Sequence, residues 1–460
     1  MWRKNTLHTG RTKNCSSSLF VMPQNGIMEV NMSFVYKFPL KMHVGAPCKA
    51  LVNPGDIVKR GQCIAVPEGL GAKIHSSVSG TIKEVTDKSI LIQADEVQTE
   101  DYIKIDQCNS VKDTCFEAGI VGAGGAGFPT HIKLASDIPD GYIIANCVEC
   151  EPVLSHNISM LEQSPELVIK GIQYAMEAVK ASNGVIAIKE KNKKAIVALE
   201  KVLNNYKNIT IKKLPNIYPM GEERAIIHEV FGKWLEPTQL PIEANCVILN
   251  TETLANIVRA VEDRKPVIDK DVTVGGKLAN GEKQNVFFQV PIGTPIKDMI
   301  QKCGGIDGEY GEVLIGGPYT GSAGNLDEDV VTKTSGGIIV TIPFPKYEDK
   351  VGLLVCACGA NENRLRDVAN KMGSEVVAVL PCKNIENIRG ANKCKTPGTW
   401  PGQATVVLQL KKAGAKRLII SNCSDCTNTV MNSAPQLGLG VYHHTDHVFR
   451  TVDHELTRRL

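Results

Sequence analysis

Three times in the last block of this chain a short apolar run ends almost directly in cysteine. Val351-Gly-Leu-Leu-Val355 runs into Cys356-Ala-Cys358, Glu375-Val-Val-Ala-Val-Leu380 into Pro381-Cys382, and Arg417-Leu-Ile-Ile-Ser421 into Asn422-Cys423-Ser-Asp-Cys426. Between these runs lie segments of helical spacing, Asn361–Met372, stopped by Gly373, and a helix around Ala404–Lys412. Strands alternating with helices build a mainly parallel sheet. Because all strands of such a sheet end at one edge, the thiols are expected to converge there.

The cysteine count sharpens this. Fifteen cysteines would suit a disulfide scaffold in a short secreted chain, but 460 residues at 43% hydrophobic content are enough for ordinary cores. Close pairs (Cys147/Cys150, Cys356/Cys358, Cys423/Cys426) in a chain of this kind point to redox work or metal binding in a reducing cytoplasm. Cys48, Cys63, Cys108, Cys115, Cys246 and Cys303 stand alone and read as inert packing. A formal charge of +3 gives no reason to expect nucleic acid or a membrane surface as partner. No apolar run approaches the ~20 residues of a membrane span, so direct membrane insertion is not expected.

The length suits several domains. Residues 1–31 lack an apolar signal-peptide core and read as a tail, with Met32 as an alternative start. From 32 to 106, short strands alternate with turns such as Asn53-Pro-Gly-Asp56 and Arg60-Gly-Gln62, a pattern of two strand–turn–strand halves closing a small flattened barrel. Residues 112–265 read as α/β, with strands at Gly141–Ala145 and Gly184–Lys189 and helices at Leu167–Val179 and Asn192–Leu203. A compact β-grasp-like unit spans 270–345, and the cysteine-bearing α/β block spans 350–460.

Within the second unit lies Gly122-Ala-Gly-Gly-Ala-Gly-Phe-Pro-Thr-His-Ile-Lys133. Gly122, Gly124, Gly125 and Gly127 free the backbone N–H groups to wrap an anion, for which a phosphate is the usual guest. The spacing also fits a dinucleotide turn, but Pro129 can only open a helix, not continue one. The alternative is a plain flexible turn. The acidic segment Asn146-Cys-Val-Glu149-Cys-Glu151-Pro152 follows a strand and so belongs at its carboxyl end, where α/β sheets bind ligands. Gly221-Glu222-Glu223 sets a second carboxylate pair beside a glycine; taken alone it reads first as a helix start.

In the last block, Cys423-x-x-Cys426 opening a helix suits a reactive dithiol. Cys356, Cys358, Cys382 and Cys394 bring the block to six thiols, enough for an iron–sulfur cluster or zinc instead. The pattern C-x-x-C-x-x-C-x-x-x-C-P is absent from the chain. His443-His444-Thr-Asp446-His447 could supply ligands but reads rather as a polar surface turn.

With these residues in view, 32–345 resembles the RnfC family in domain order: a barrel-sandwich hybrid like that of lipoyl and biotinyl carriers, a flavin-type α/β domain, and a soluble-ligand-binding β-grasp (SLBB) unit. Asp87-Lys88 falls after Gly80, out of place for lipoylation. The α/β domain is also similar to the flavin-bearing, NADH-binding subunit of respiratory complex I. Gly122–Lys133 matches that family's loop around the FMN phosphate, Asn146…Glu149…Glu151-Pro152 its acidic segment, Gly221-Glu222-Glu223 its Gly-Glu-Glu motif, and Asn250-Thr-Glu-Thr253-Leu-Ala its Asn-Val-Glu-Thr-Leu-Ala segment. Val148 and Leu249 replace an aspartate and an asparagine of that pattern.

The resemblance implies an α/β multidomain protein of cytoplasmic location that binds FMN and takes electrons from NADH. After the SLBB unit the chain departs from RnfC, and its order is like the PrdC group of RnfC-like proteins associated with D-proline reductase. That likeness implies electron delivery through Cys423 and Cys426 to a reductase protein partner of the proline-reductase kind. Docking to a membrane complex, and a flavin-free redox scaffold, are the alternatives.

Overall fold

The computed structural model describes residues 34–388, 390–399 and 402–457, so the tail 1–31 lies outside the described residues. The N-terminal unit is a sandwich of two small sheets. One pairs Val35–Pro39 with Ser89–Ala94, then Gly80–Val85 and Ile57–Val58; the other joins Cys48–Ala50, Cys63–Pro67 and Ile74–His75. Alternation along Val35–Pro39 sends Tyr36 and Phe38 inward, as a strand with one buried face requires.

The next unit has a parallel sheet in the order Ile209–Leu214, Asn183–Lys189, Tyr142–Cys147, Cys246–Asn250. Its central strands are almost wholly buried, which is why they read as continuous apolar runs. Asn146 and Asn250 are register partners at the carboxyl edge. Helices Pro165–Val179 and Thr251–Glu262 approach closely because position 171 is glycine; a Cβ there would lie 2.5 Å from the Leu254 carbonyl oxygen. The β-grasp unit is a mixed sheet in the order Gln284–Pro291, Asp269–Gly276, Gly337–Val340, Val313–Ile315, Ser322–Gly324, with helix Ile296–Lys302 against it.

The last block holds a parallel sheet in the order Glu375–Pro381, Lys350–Val355, Arg417–Ile420, Gly440–His443. The helices Glu362–Lys371 and Ala404–Lys412 fall where their spacing predicts. Two elements differ from expectation. A hairpin, Ile385–Ile388 with Ala391–Cys394, leaves the sheet after Cys382. The segment read as a polar surface turn is instead the end of a strand and the start of helix Asp446–Thr451, and His443, His444, Asp446 and His447 are at most 1% exposed. Partners explain this: His447 Nε2 lies 2.8 Å from Glu312 of the β-grasp unit, and His444 Nε2 lies 3.1 Å from the Tyr319 carbonyl.

The first three units share one buried cation. Lys333 of the β-grasp unit donates to the Lys73 carbonyl of the barrel at 2.5 Å and to the Gly119 carbonyl of the α/β domain at 2.6 Å. Burial pushes its ammonium down to about 8. A lysine whose folded value lies below its unfolded one costs stability in full at lower pH, and the cost is relieved as pH rises from about 8 toward the unfolded value. Denaturant titrations at several pH values should therefore show the parent gaining stability over that window relative to Lys333→Met, by on the order of 3 kcal/mol. Parallel curves would mean that Lys333 does not titrate there.

Candidate functional site

One cavity of about 930 Å³ lies where the carboxyl edges of the two parallel sheets meet the β-grasp unit. Its floor is the glycine loop. Val121 bridges to Pro129, and Gly122 N–H donates to the Phe128 carbonyl at 2.9 Å, so the loop is a closed bow rather than a free turn. Pro129 stands just before the short helix Thr130–Lys133, the role open to a proline there. Gly125 has φ +99° with open space beside it, a backbone that only glycine adopts readily. Gly124 faces Asn250, whose Nδ2 a Cβ would meet at 3.0 Å.

The residues expected to hold a cofactor divide into two groups. Gly124, Gly125, Asn146, Glu149, Glu151, Gly221, Glu222 and Asn250 line the cavity. Gly122, Gly127, Lys133, Glu223 and Thr253 do not, and most have a visible bracing role. Lys133 donates to Glu223 at 2.7 Å and to the Ile248 carbonyl at 3.0 Å, which commits the ammonium to a protein carboxylate. Thr253 Oγ1 accepts from Ala123 N–H at 3.0 Å and donates to the Val121 carbonyl, pinning the loop to the helix behind it.

Several lining residues are caps as well. Asn250 Oδ1 accepts from Glu252 N–H at 2.9 Å, opening helix Thr251–Glu262. Glu222 does the same for helix Glu223–Phe231, accepting from Arg224 and Ala225 N–H at 2.9 and 3.0 Å. Arg224 in turn donates to the Cys394 carbonyl at 2.7 Å, tying this helix to the C-terminal hairpin.

The two carboxylates after the strand have different duties. Glu151 is clasped by the β-grasp unit, accepting from Tyr319 N–H at 2.8 Å, Thr320 N–H at 2.9 Å and the Thr320 hydroxyl at 2.6 Å. Glycine is needed at 317, where a Cβ would fall 2.3 Å from the Glu151 carboxyl carbon. Glu149 accepts from Asn157 Nδ2 at 3.1 Å, and burial pushes its carboxyl up to about 7, with the Glu151 charge adding to the rise. The Asn157 Oδ1 atom beside it is buried without a partner.

The same cavity also carries sulfur. Cys150 Sγ accepts from Gly221 N–H at 2.9 Å, and Cys358 and Cys394 line the same cavity. The expected convergence is present: Cys356, Cys382, Cys423 and Cys426 pack in one buried cluster, with the half-buried Cys150 and Cys358 against its edge. Hydrogen bonds from Cys358 and Cys426 hold Cys423 well below the ordinary thiol range, and bonds from Cys356 and Cys426 push Cys382 down to about 3. Gln403 adds an amide donor to Cys382 Sγ at 2.9 Å. Cys358 and Cys426 are held well above that range as the proton-bearing partners of Cys356 and Cys382.

Among the described residues no three His, Cys, Asp or Glu side chains form a cage for a single metal ion, so the zinc expectation finds no such site in this arrangement. Cys147, one half of an expected pair, is 1% exposed and pushed up to about 12 by burial; only Cys150 reaches the cavity. Of the lone cysteines, Cys48, Cys115, Cys246 and Cys303 are buried as packing, with burial pushing Cys48 up to about 11 and both Cys246 and Cys303 up to about 12, whereas Cys63 and Cys108 are half-buried rather than enclosed as expected.

Comparison with known proteins agrees with this geometry. Residues 115–259 match the Nuo51 FMN-binding domain, and residues 7–107 match the RnfC barrel-sandwich hybrid domain. A component of the Na(+)-translocating ferredoxin:NAD(+) oxidoreductase complex of Acetobacterium woodii is 31% identical over 320 residues, which cover 65% of this chain and 72% of that one. The chain belongs to the RnfC family. The corresponding component of the proton-translocating ferredoxin:NAD(+) oxidoreductase complex of Clostridium ljungdahlii is 33% identical, over 65% of this chain and 69% of its own. Cobalamin reductase PduS of Salmonella typhimurium is 37% identical over 232 residues, half of each chain. The cysteine-bearing block lies outside both matched stretches. Among the described residues no helix is long and apolar enough to cross a membrane.

The residues present fit a flavin: the loop leaves open space at Gly125 for the phosphate, and the unpartnered buried amide oxygen of Asn157, which lines the cavity, is an acceptor free for a hydroxyl or ring N–H of the cofactor. Thr253→Val removes the acceptor of Ala123 N–H without touching the cavity. Loss of one such bond should weaken FMN binding by about fivefold, read as quenching of flavin fluorescence on titration of the apoprotein. An unchanged Kd would separate the loop from the phosphate.

Proposed function

We propose that this chain is a cytoplasmic electron-transfer flavoprotein that takes electrons from NADH and delivers them, through the C-terminal thiols, to a reductase protein. The observation that carries this is one cavity lined together by the glycine loop, the acidic segment with its Cys150, and Cys358 and Cys394 of the last block. FMN would sit on the Ala123–Ala126 backbone, with Asn146, Gly221 and Asn250 shaping the wall. A bound flavin supplies hydride acceptance and onward electron release, chemistry that side chains cannot do. The chain's own part is to hold the loop through Thr253, fix the acidic segment against the β-grasp unit through the Glu151 clasp, and present thiols in the same cavity.

The finer reading, resting on the PrdC-like domain order, takes D-proline reductase as the recipient. A second reading is that of a peripheral component of an ion-translocating membrane complex, the setting named for the Acetobacterium and Clostridium relatives. Co-purification with integral membrane proteins of such a complex would favour it.

The purified protein should be yellow and bleach on addition of NADH. A colourless protein releasing no flavin on denaturation would favour a scaffold instead. Iron and acid-labile sulfide analysis decides between free thiols and a cluster in the last block. The proposal also has a pH signature. Glu149 loses its proton as pH rises through about 7, placing a negative charge in the path of an anionic dinucleotide. Affinity for NADH should fall over that interval in the parent and stay level in Glu149→Gln, measured by titration calorimetry.

A further inference from the structure

No motif in the sequence singles out His156 or Asn157, yet both line the cavity from the first turn of helix His156–Gln163. They are 2% and 8% exposed. Polar groups covered to that degree are normally hydrogen-bonded, so an atom left without a partner marks a place for a ligand.

The partners of His156 fix its proton. Nδ1 lies 3.0 Å from the hydroxyl oxygen of Thr273, on the β-grasp strand Asp269–Gly276. That oxygen already accepts two backbone N–H groups, from Ser155 at 3.1 Å and from His156 at 3.2 Å. A hydroxyl has two lone pairs and one proton. With both lone pairs occupied, the Thr273 proton points at Nδ1, which is therefore the acceptor nitrogen. A neutral imidazole has one nitrogen of each kind, so its own proton is on Nε2. Burial holds the ring well below the ordinary imidazole range, in keeping with a neutral side chain. Nε2 has no hydrogen-bond partner among the described residues. It stands beside Gly336, another residue of the cavity wall; a Cβ there would lie 3.5 Å from Nε2, so glycine leaves the N–H open.

Asn157 offers the reverse. Its Nδ2 donates to the Glu149 carboxylate at 3.1 Å, which turns Oδ1 the other way, buried and without a partner. One turn thus presents to one cavity an N–H lacking an acceptor and a carbonyl oxygen lacking a donor. Neither group is charged, so neither suits a phosphate as the glycine loop does. A ligand that satisfies both carries a carbonyl oxygen and an N–H, the two faces of an amide.

From this arrangement we propose that the His156–Asn157 turn binds the amide portion of the cavity's ligand, with His156 Nε2–H donating to a carbonyl oxygen and Asn157 Oδ1 accepting an N–H. The ligand's identity rests on the proposed function, within which two groups have this chemistry: the pyrimidine ring of the flavin and the carboxamide of nicotinamide. Thr273 is then a positioning residue, holding the imidazole in the tautomer that can donate.

The test starts on the flavin-free full-length protein, at a pH above the value of about 7 to which burial pushes Glu149, so that Glu149 is a carboxylate and Asn157 Nδ2 its donor. With isotopically labelled histidine, the ring-nitrogen resonances lost in His156→Gln should show Nε2 protonated and Nδ1 bare; the opposite tautomer overturns the proposal. Binding is then measured with FMN on the apoprotein by fluorescence quenching, and with NAD⁺ on the flavin-loaded protein by calorimetry, so that no hydride is transferred. His156→Leu should weaken one of these by about tenfold, and His156→Gln, which keeps an N–H donor, should recover most of it. A loss for FMN, alone or together with NAD⁺, assigns the donor to the flavin ring; a loss for NAD⁺ alone assigns it to the carboxamide. Unchanged Kd values for both ligands, or a loss that His156→Gln leaves in place, overturn the proposal.

The acceptor is read from the ligand side, with N3-methyl-FMN or 3-acetylpyridine adenine dinucleotide, which lack the N–H. The parent should bind the analogue of the assigned ligand about fivefold more weakly than the ligand itself, a gap that closes in Asn157→Leu. Equal binding by the parent, or a gap that persists in Asn157→Leu, overturns the role of Asn157. A parent that binds neither FMN nor NAD⁺ is a failure of the proposed function, seen without any variant. A parent that binds both, with His156→Leu unchanged, is a failure of this inference alone.

Discussion

A carboxylate taken out of water must find donors or take up a proton, and Glu151 finds three donors on one turn of a different domain. Much of the site follows from that clasp. It seats Tyr319, which stacks on Tyr218 at 3.5 Å between ring centroids, and Tyr218 bonds the backbone of Cys358 and Ser424. A chain of hydrogen bonds and one ring stack thus runs from the acidic segment of one parallel sheet to the cysteine edge of the other. Lys333 plays the matching part on the far side, where three domains share one buried ammonium. Both devices bury charge at an interface, which makes the domain arrangement specific at some cost in stability.

The sulfur network obeys the same logic of limited solvent. With little water nearby, hydrogen bonds among the thiols hold Cys382 and Cys423 below the ordinary thiol range and Cys426 above it. Histidines buried behind them contribute position rather than ligation: His443 Nε2 lies 2.9 Å from the Asn422 carbonyl, directly before Cys423. Holding position matters because exchange between sulfurs demands close approach along a narrow set of directions.

Much of the architecture was legible from pattern. Apolar runs at 184–189 and 351–355 read as buried strands because both faces are covered, and helix Ala404–Lys412 was plain from its spacing. The hairpin Ile385–Cys394 was not, since its strands are half-exposed and lack alternation. The histidine-rich segment misled for a related reason: its polarity suggests solvent, while its partners, Glu312 and the Tyr319 carbonyl, lie over a hundred residues away in sequence. Of the expected cofactor residues, the motifs picked out several that line one cavity but could not separate lining from bracing. Lys133 and Thr253 belong to the same motifs as Gly125 and Asn250, yet face the protein.

Local sequence was sufficient for whatever depends on backbone chemistry and periodicity: a glycine loop able to wrap an anion, a proline that can only open a helix, and strands that carry cysteine to one sheet edge. Which thiol faces the cavity is a different kind of fact. Cys358 and Cys423 stand in comparable positions after their strands, and no pattern of residue types distinguishes them. Their exposure is set by the cover that Tyr218, Tyr319 and the hairpin provide, and that cover exists only once distant segments have packed.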